Sequence, residues 1–263
     1  MYLKQYESNN RAFALYIDIK CKGRKRFRLY ASDFGRPNSK YAEREIDVEN
    51  ARRIYFSFPV SPKSLGIVIF NVADEKDKEF DVSLMEAPLQ TFNVALDNRT
   101  MDFLALSIPF SQVAGFVNPP PEGKIYSSEN GNLNIRYVPV IRDFKGNPMS
   151  TPARVGHQSG LIEAAKIKFD RYTVPMREII LLHEFSHKYK NPQIGLQISN
   201  EFGADINALY IYLGLGFSKI DAICVFARVF LKAQTESNMQ RMRKIMDYIE
   251  RFENGEYAQK NLV

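Results

Sequence analysis

Residues His183-Glu184-Phe185-Ser186-His187 constrain this 263-residue chain more than any other stretch. Two histidines four positions apart share a face only if the segment is helical, with Cβ atoms about 5–6 Å apart. Two neutral imidazoles at that spacing can grip one metal ion. Glu184 is rotated off the imidazole axis by one residue, where it can reach a water beside the metal. That is the general-base position of a metal-dependent hydrolase. The chain has three histidines and places two of them here.

The flanking residues support a helix. In R-E-I-I-L-L-H-E-F-S-H-K-Y, residues Ile179, Ile180, Leu182, His183, Ser186 and His187 line one face at helical spacing. Thr173 is the expected N-cap and Pro175 suits the first turn, where the missing N–H costs nothing. Asn191-Pro192 is the expected stop. The uncharged residues before His183 place the site over an apolar floor. Lys188, directly after the second histidine, is expected to point outward.

A catalytic metal needs a third protein ligand. Ser199 to Leu209 reads as a second helix capped by Ser199 or Asn200, with Glu201 and Asp205 four apart on one face. Taken alone, that pair reads as surface charge. Following H-E-x-x-H, however, E-x-x-A-D (Glu201, Ala204, Asp205) resembles the gluzincin metallopeptidases, and Ala208, Gly214, Gly216 and Ala222 extend the match loosely over the last third of the chain. The resemblance implies Zn²⁺ held by His183, His187 and Glu201, with Glu184 as the catalytic base. It also implies that Asp205 hydrogen-bonds a ligating histidine and that Ala204 and Ala208 let the two helices approach closely. The loop between His187 and Glu201 is short for that family, so Asp205 stands as the alternative third ligand, as in aspartate-type zincins. A zinc-free descendant of the same fold is the competing reading.

Composition sets the outer limits. With 45% hydrophobic residues the chain can build an ample core as one large domain or two small ones. The N-terminal M-Y-L-K-Q-Y-E-S-N-N has no signal-peptide core, and no run approaches the ~18 apolar residues of a membrane span. Cys21 and Cys224 are far apart without C-x-x-C spacing and read as reduced and structural, with pairing of the two as the alternative. A cytoplasmic or particle-enclosed location is expected. The net charge of +6 includes Lys20, Lys22, Arg24, Lys25, Arg26 and Arg28 around an expected hairpin turn at Gly23. Such a turn could meet a phosphate backbone. With no nucleic-acid motif beside it, a solvated hairpin protecting a sheet edge is the better reading.

Periodicity divides the chain. Period-2 patterning predicts strands over 12–20, 25–31, 53–59, 65–72, 80–84, 91–95 and 101–109. Beyond the linker candidate Asn118-Pro119-Pro120-Pro121-Glu122-Gly123, strands are expected over 132–141 and 162–169 and helices over 200–213, 219–233 and 238–253. The expected fold is α+β, with an N-terminal β-rich, sandwich-like domain (1–121) for substrate or partner docking. A minimal zincin-like metallopeptidase domain (122–263) follows.

In zincins an extended peptide lies along an edge strand upstream of the helix, for which residues 164–170 or 154–157 are candidates. His157 and Tyr210 are candidate oxyanion donors, with Tyr212 close behind. The expected partner is a protein or peptide substrate, with no membrane. The competing class is a non-catalytic structural or adaptor component of a larger assembly built on the zincin scaffold, with association to nucleic acid left open.

Overall fold

The computed structural model describes residues 1–156, 158–189, 201–231, 233 and 235–262. The chain is α+β, β-rich at its N-terminus and mainly helical afterwards. It divides into two compact units, Met1–Thr91 with the last residues of the chain and Phe92–Lys260.

The first unit is one antiparallel sheet of β1 (Tyr2–Glu7), β2 (Phe13–Asp33), β3 (Arg36–Phe58), β4 (Ser64–Asn71) and β5 (Phe80–Ala87). Its centre is the long β2–β3 hairpin. β5 pairs with the first part of β2 from Ala14 to Cys21, and β4 with the second part from Phe27 to Asp33. β1 then adds to β4. Alternation explains the burial: Leu15, Ile17, Ile19, Phe27, Leu29 and Ala31 of β2 face a core with Phe56, Phe58, Leu65, Ile67 and Ile69.

Two expectations change here, within strands that all hydrogen-bond into one sheet. Gly23, at φ +72°, is not a hairpin turn: the register shift between Lys20 and Arg24 makes it part of a bulge in a strand that continues to Asp33. The turn lies instead at Asp33–Arg36, and residues 36–52, assigned no element from the sequence, are strand. Continuation past the bulge also sets Arg26 and Arg28 opposite Asp47 and Glu45, with ion pairs at 2.8 and 2.7 Å.

A short strand, β6 (Gln90–Phe92), precedes α1 (Asn98–Val113), and β7 (Lys124–Ser127), β8 (Asn134–Val138), β9 (Ala153–Val155) and β10 (Ile162–Ala165) follow. Next come the short α2 (Lys166–Phe169), α3 (Val174–Ser186), α4 (Glu201–Gly214) and α5 (Lys219–Val225). A π-helical turn at Phe226–Phe230, α6 (Glu236–Glu253) and β11 (Lys260–Leu262) complete the order. The four-stranded sheet runs β7-β8-β10-β9, with β8 and β10 parallel and both outer pairs antiparallel. β10 is therefore internal and β9 is an edge. Residues 164–170 cannot be the edge strand, because 164–165 lie inside the sheet and 166–169 are helical.

Residues 101–109 are helix, not strand. Asp97 caps α1 by accepting from Thr100 N at 2.9 Å. Its buried positions Thr100, Phe103, Leu104, Ser107, Phe110 and Ser111 recur at helical spacing, but three are hydroxyl residues, which hides the period from an apolar count. α1 belongs with the second unit because it packs on α3: Phe103 stacks on Phe185 at 4.2 Å, and Ser107 and Ser111 donate to Glu178. The division between units consequently falls ahead of α1, and the Pro-rich 118–123 segment lies inside the second unit.

Candidate metal centre

The helix that carries the histidines is buried on every side. Thr173 caps it, accepting from Met176 N at 3.4 Å, and Pro175 sits in its first turn. All its residues except Met176 are buried, so α3 is a core helix and not a one-faced surface helix. Its foot is anchored by Arg177, fully buried, which donates to Phe169 O at 3.0 Å and Ser111 O at 2.9 Å. Gly115 makes room for that guanidinium, since a Cβ there would come within 2.7 Å of it. Near the other end, Asn207 of α4 donates to Ser186 Oγ at 2.7 Å, one residue before His187.

His183 is buried, His187 is half-buried at the helix end, and Lys188 is exposed as expected. The two Nε2 atoms stand 3.1 Å apart. Glu201, in the first turn of α4, brings its carboxylate oxygens to 3.5 Å from His183 Nε2 and 3.6 Å from His187 Nε2. These ligand atoms all lie within 4.8 Å of one another, so His183, His187 and Glu201 form a group able to hold a metal ion. Ligands at ~2.0–2.1 Å in a tetrahedral site are separated by roughly 3.3 Å, so the residues fit a small cation with one position open.

Asp205 occupies a different place. One turn further along α4 and fully buried, it sets Oδ1 3.0 Å from His183 Nδ1, the ring nitrogen facing away from His187. The contact is off the ideal hydrogen-bond line, yet it leaves Nε2 as the ligating atom. The i,i+4 spacing delivered both carboxylates to one imidazole, Glu201 on its Nε2 side and Asp205 on its Nδ1 side.

Charge explains why the group suits a cation. Burial opposes protonation of His183, but the nearby carboxylates of Asp205, Glu201 and Glu184 outweigh it and raise its pKa to about 9. The His183 ring, working against partial burial, pulls the Glu201 carboxyl down to about 2. Burial and the charge of His183 push His187 below its usual value. The cluster holds one positive charge tightly, on His183.

Glu184 is buried beside the pair, and burial raises its carboxyl above the usual range. Proximity to His183 and a backbone hydrogen bond from Val155 oppose that rise. Since Val155 belongs to β9, Glu184 lies against the edge strand of its sheet.

The remaining candidates separate. Tyr210 is five positions past Asp205, turned to another side of α4. Its hydroxyl accepts from Ala95 N at 3.2 Å and its ring packs edge-on against Phe252 at 6.0 Å. Tyr210 is a core residue. Tyr212 is also core, stacked on Phe217 at 4.6 Å. His157 and the proposed caps Ser199 and Asn200 lie outside the described residues.

Two residues at the centre had no local sequence signal. Phe230, in the π-helical turn, stacks on the His183 ring at 4.0 Å. Arg241, on α6, grips Asp205 with Nε to Oδ2 at 2.5 Å and Nη2 to Oδ1 at 2.7 Å. The only hint was chemical: two carboxylates sharing a face call for a cation from somewhere in the chain. Compared with protein-family models, curated proteins and solved structures, the chain finds no match, so its own residues carry the reading of the site.

Proposed function

We propose that the protein is a zinc-dependent peptidase of gluzincin type. His183, His187 and Glu201 hold the ion and Glu184 is the general base. The observation that carries this reading is the convergence of three ligand atoms beside a buried helix carboxylate that accepts from the backbone of an edge strand. Two imidazole nitrogens and one carboxylate oxygen are a donor set suited to Zn²⁺. When bound, the ion supplies Lewis acidity, acidifying water to a pKa near ~7 and polarising a carbonyl.

The chain's own residues do the rest. Glu184, its basicity raised by burial, accepts the proton of the attacking water and returns it to the leaving amine. The Val155 N–H fixes the carboxylate for that exchange. An edge strand presents unpaired backbone groups, so β9 suits an extended peptide added as a further strand beside Glu184. Asp205 directs Nε2 of His183 toward the ion.

Elemental analysis and a peptide-library digest test the reading together. Glu184→Gln should keep one equivalent of zinc and lose hydrolysis by about 10²–10⁴-fold, whereas His187→Ala should lose both. A wild-type protein that carries zinc yet cleaves nothing would favour a non-catalytic component on a zincin scaffold. Absence of zinc, with no thermal shift on adding it, would end the enzyme reading.

A further inference from the structure

We propose that Arg241 is a positioning residue of the metal centre, fastening both carboxylates of α4 in the ligating arrangement and setting the charge of the site to match a divalent cation. The inference rests on the zinc-site reading above and adds a residue from a third helix to it.

The geometry is specific. The guanidinium reaches both oxygens of Asp205, at 2.5 and 2.7 Å, which is the two-point grip its planar fork allows and an ammonium cannot reproduce. The same Nη2 reaches Glu201 Oε2 at 3.2 Å and the Glu201 backbone oxygen at 3.4 Å. One side chain therefore touches the carboxylate next to His183 Nε2 and the one next to His183 Nδ1. With Asp205 gripped through both oxygens, its rotamer is fixed, and through it the tautomer and ring orientation of His183. Glu201 is otherwise a side chain 60% exposed to solvent, free to swing away from the two imidazoles. The contact with Arg241 restrains it on the ligand side.

Charge gives the second argument. Glu184, Glu201 and Asp205 set three carboxylates about the two imidazoles, each a negative charge when ionised. Arg241, with a side chain only 14% exposed, cancels one of them. A divalent cation cancels the other two. Lacking Arg241, a divalent site would keep an uncompensated buried negative charge, which is costly.

A purely mechanical role is the competing explanation, in which the Arg241–Asp205 pair only ties α6 to α4. α6 has other anchors, since Ile245, Tyr248, Ile249 and Phe252 bury its apolar face. The two roles separate in measurements other than activity. Zinc affinity is measured by chelator competition, the ligand field by the absorption spectrum of the Co²⁺-substituted protein, and stability by the Tm of the metal-free form. Arg241→Met should weaken zinc binding by about 10–100-fold and alter the Co²⁺ spectrum. Arg241→Lys, which keeps the charge and loses the fork, should fall between Met and wild type in affinity and still shift the spectrum. Should Arg241→Met fail to fold, the Lys variant alone decides. Variants that match wild type in affinity and spectrum while losing metal-free Tm would show a mechanical tie only and overturn the proposal. If wild type itself takes up neither Zn²⁺ nor Co²⁺, the zinc-site reading and this inference fall together.

Discussion

The two units use the same charged residue types in opposite ways. In the first, Arg26, Arg28 and Arg53 pair with Asp47, Glu45 and Asp18 across neighbouring strands, on side chains largely open to solvent. Such pairs contribute little to stability, because water solvates the separated charges almost as well. What they do is keep the exposed sheet surface charged and hostile to edge-to-edge association. In the second, Arg177, Glu178, His183, Glu184 and Asp205 are withdrawn almost completely from water around one helix pair. Burying ions is expensive, and hydrophobic residues of similar size would fold as well or better. Of these, Glu184 and Asp205 lie beside the two imidazoles of the group able to hold a metal ion, and Arg177 and Glu178 anchor the other end of the helix.

The largest effect expected from this contrast lies at the centre of the buried set. Glu201→Ala leaves two protein ligands and should reduce bound zinc to near zero. Asp205→Asn should retain zinc at ~10–100-fold lower affinity, as for other residues that orient a ligand. Metal analysis giving the reverse ranking would make Asp205 the ligand and remove Glu201 from the centre.

Arg177 tests burial without metal. Arg177→Met removes the donors to Phe169 O and Ser111 O; Phe169 O keeps its bond from Tyr172 N, while the buried Ser111 carbonyl loses its donor. The expected loss is about 1–3 kcal/mol, the cost of an unsatisfied buried group. Urea unfolding of the metal-free protein measures it, and a loss within error would refute the claim that buried charge here is structurally committed.

The pH response should have opposite signs in the two units. Glu178 is fully buried, and desolvation raises its carboxyl to about 7 despite hydrogen bonds from Ser107 and Ser111. The folded state thus holds this proton more tightly than the unfolded chain. Its stabilising contribution is complete below about pH 4.5, the value of the free group, and is lost as pH rises through about 7. The change is on the order of 3 kcal/mol. In the first unit Asp77 is held at about 2 by Lys25, with Asn71 also donating, so its contribution is present above about pH 4 and is lost as pH falls toward 2. Tm measured from pH 5 to 8 should decline more for wild type than for Glu178→Gln. Parallel curves would place the Glu178 proton elsewhere.

The smallest effect is expected at the exposed pairs. Arg28→Ala should leave Tm within measurement error, although it removes a 2.7 Å ion pair. A clear drop would mean that the sheet depends on its surface charges.

Much of the site was legible because it is local. His183, Glu184 and His187 are placed by one helix, and Glu201 and Asp205 by another, so 3.6 residues per turn determines which side chains share a face. The cap at Thr173 and the helices near 201–214 and 236–253 were legible for the same reason. α1 was not, because Ser107 and Ser111 break its apolar stripe and Pro109 suggests a break, while their partner Glu178 is distant in sequence. Residues 20–28 suggested a turn because a glycine among basic residues looks the same in a hairpin and in a bulge until the partner strand is known.

The sequence by itself determined that two imidazoles and two carboxylates would be presented from helix faces, since backbone periodicity alone sets that spacing. Only the tertiary structure decided that Glu201 faces the Nε2 atoms and Asp205 faces Nδ1, that β9 is the edge beside Glu184, and that Arg241 completes the charge. Those outcomes depend on how separate elements pack, which desolvation and pairing of buried charge select and which no local pattern encodes.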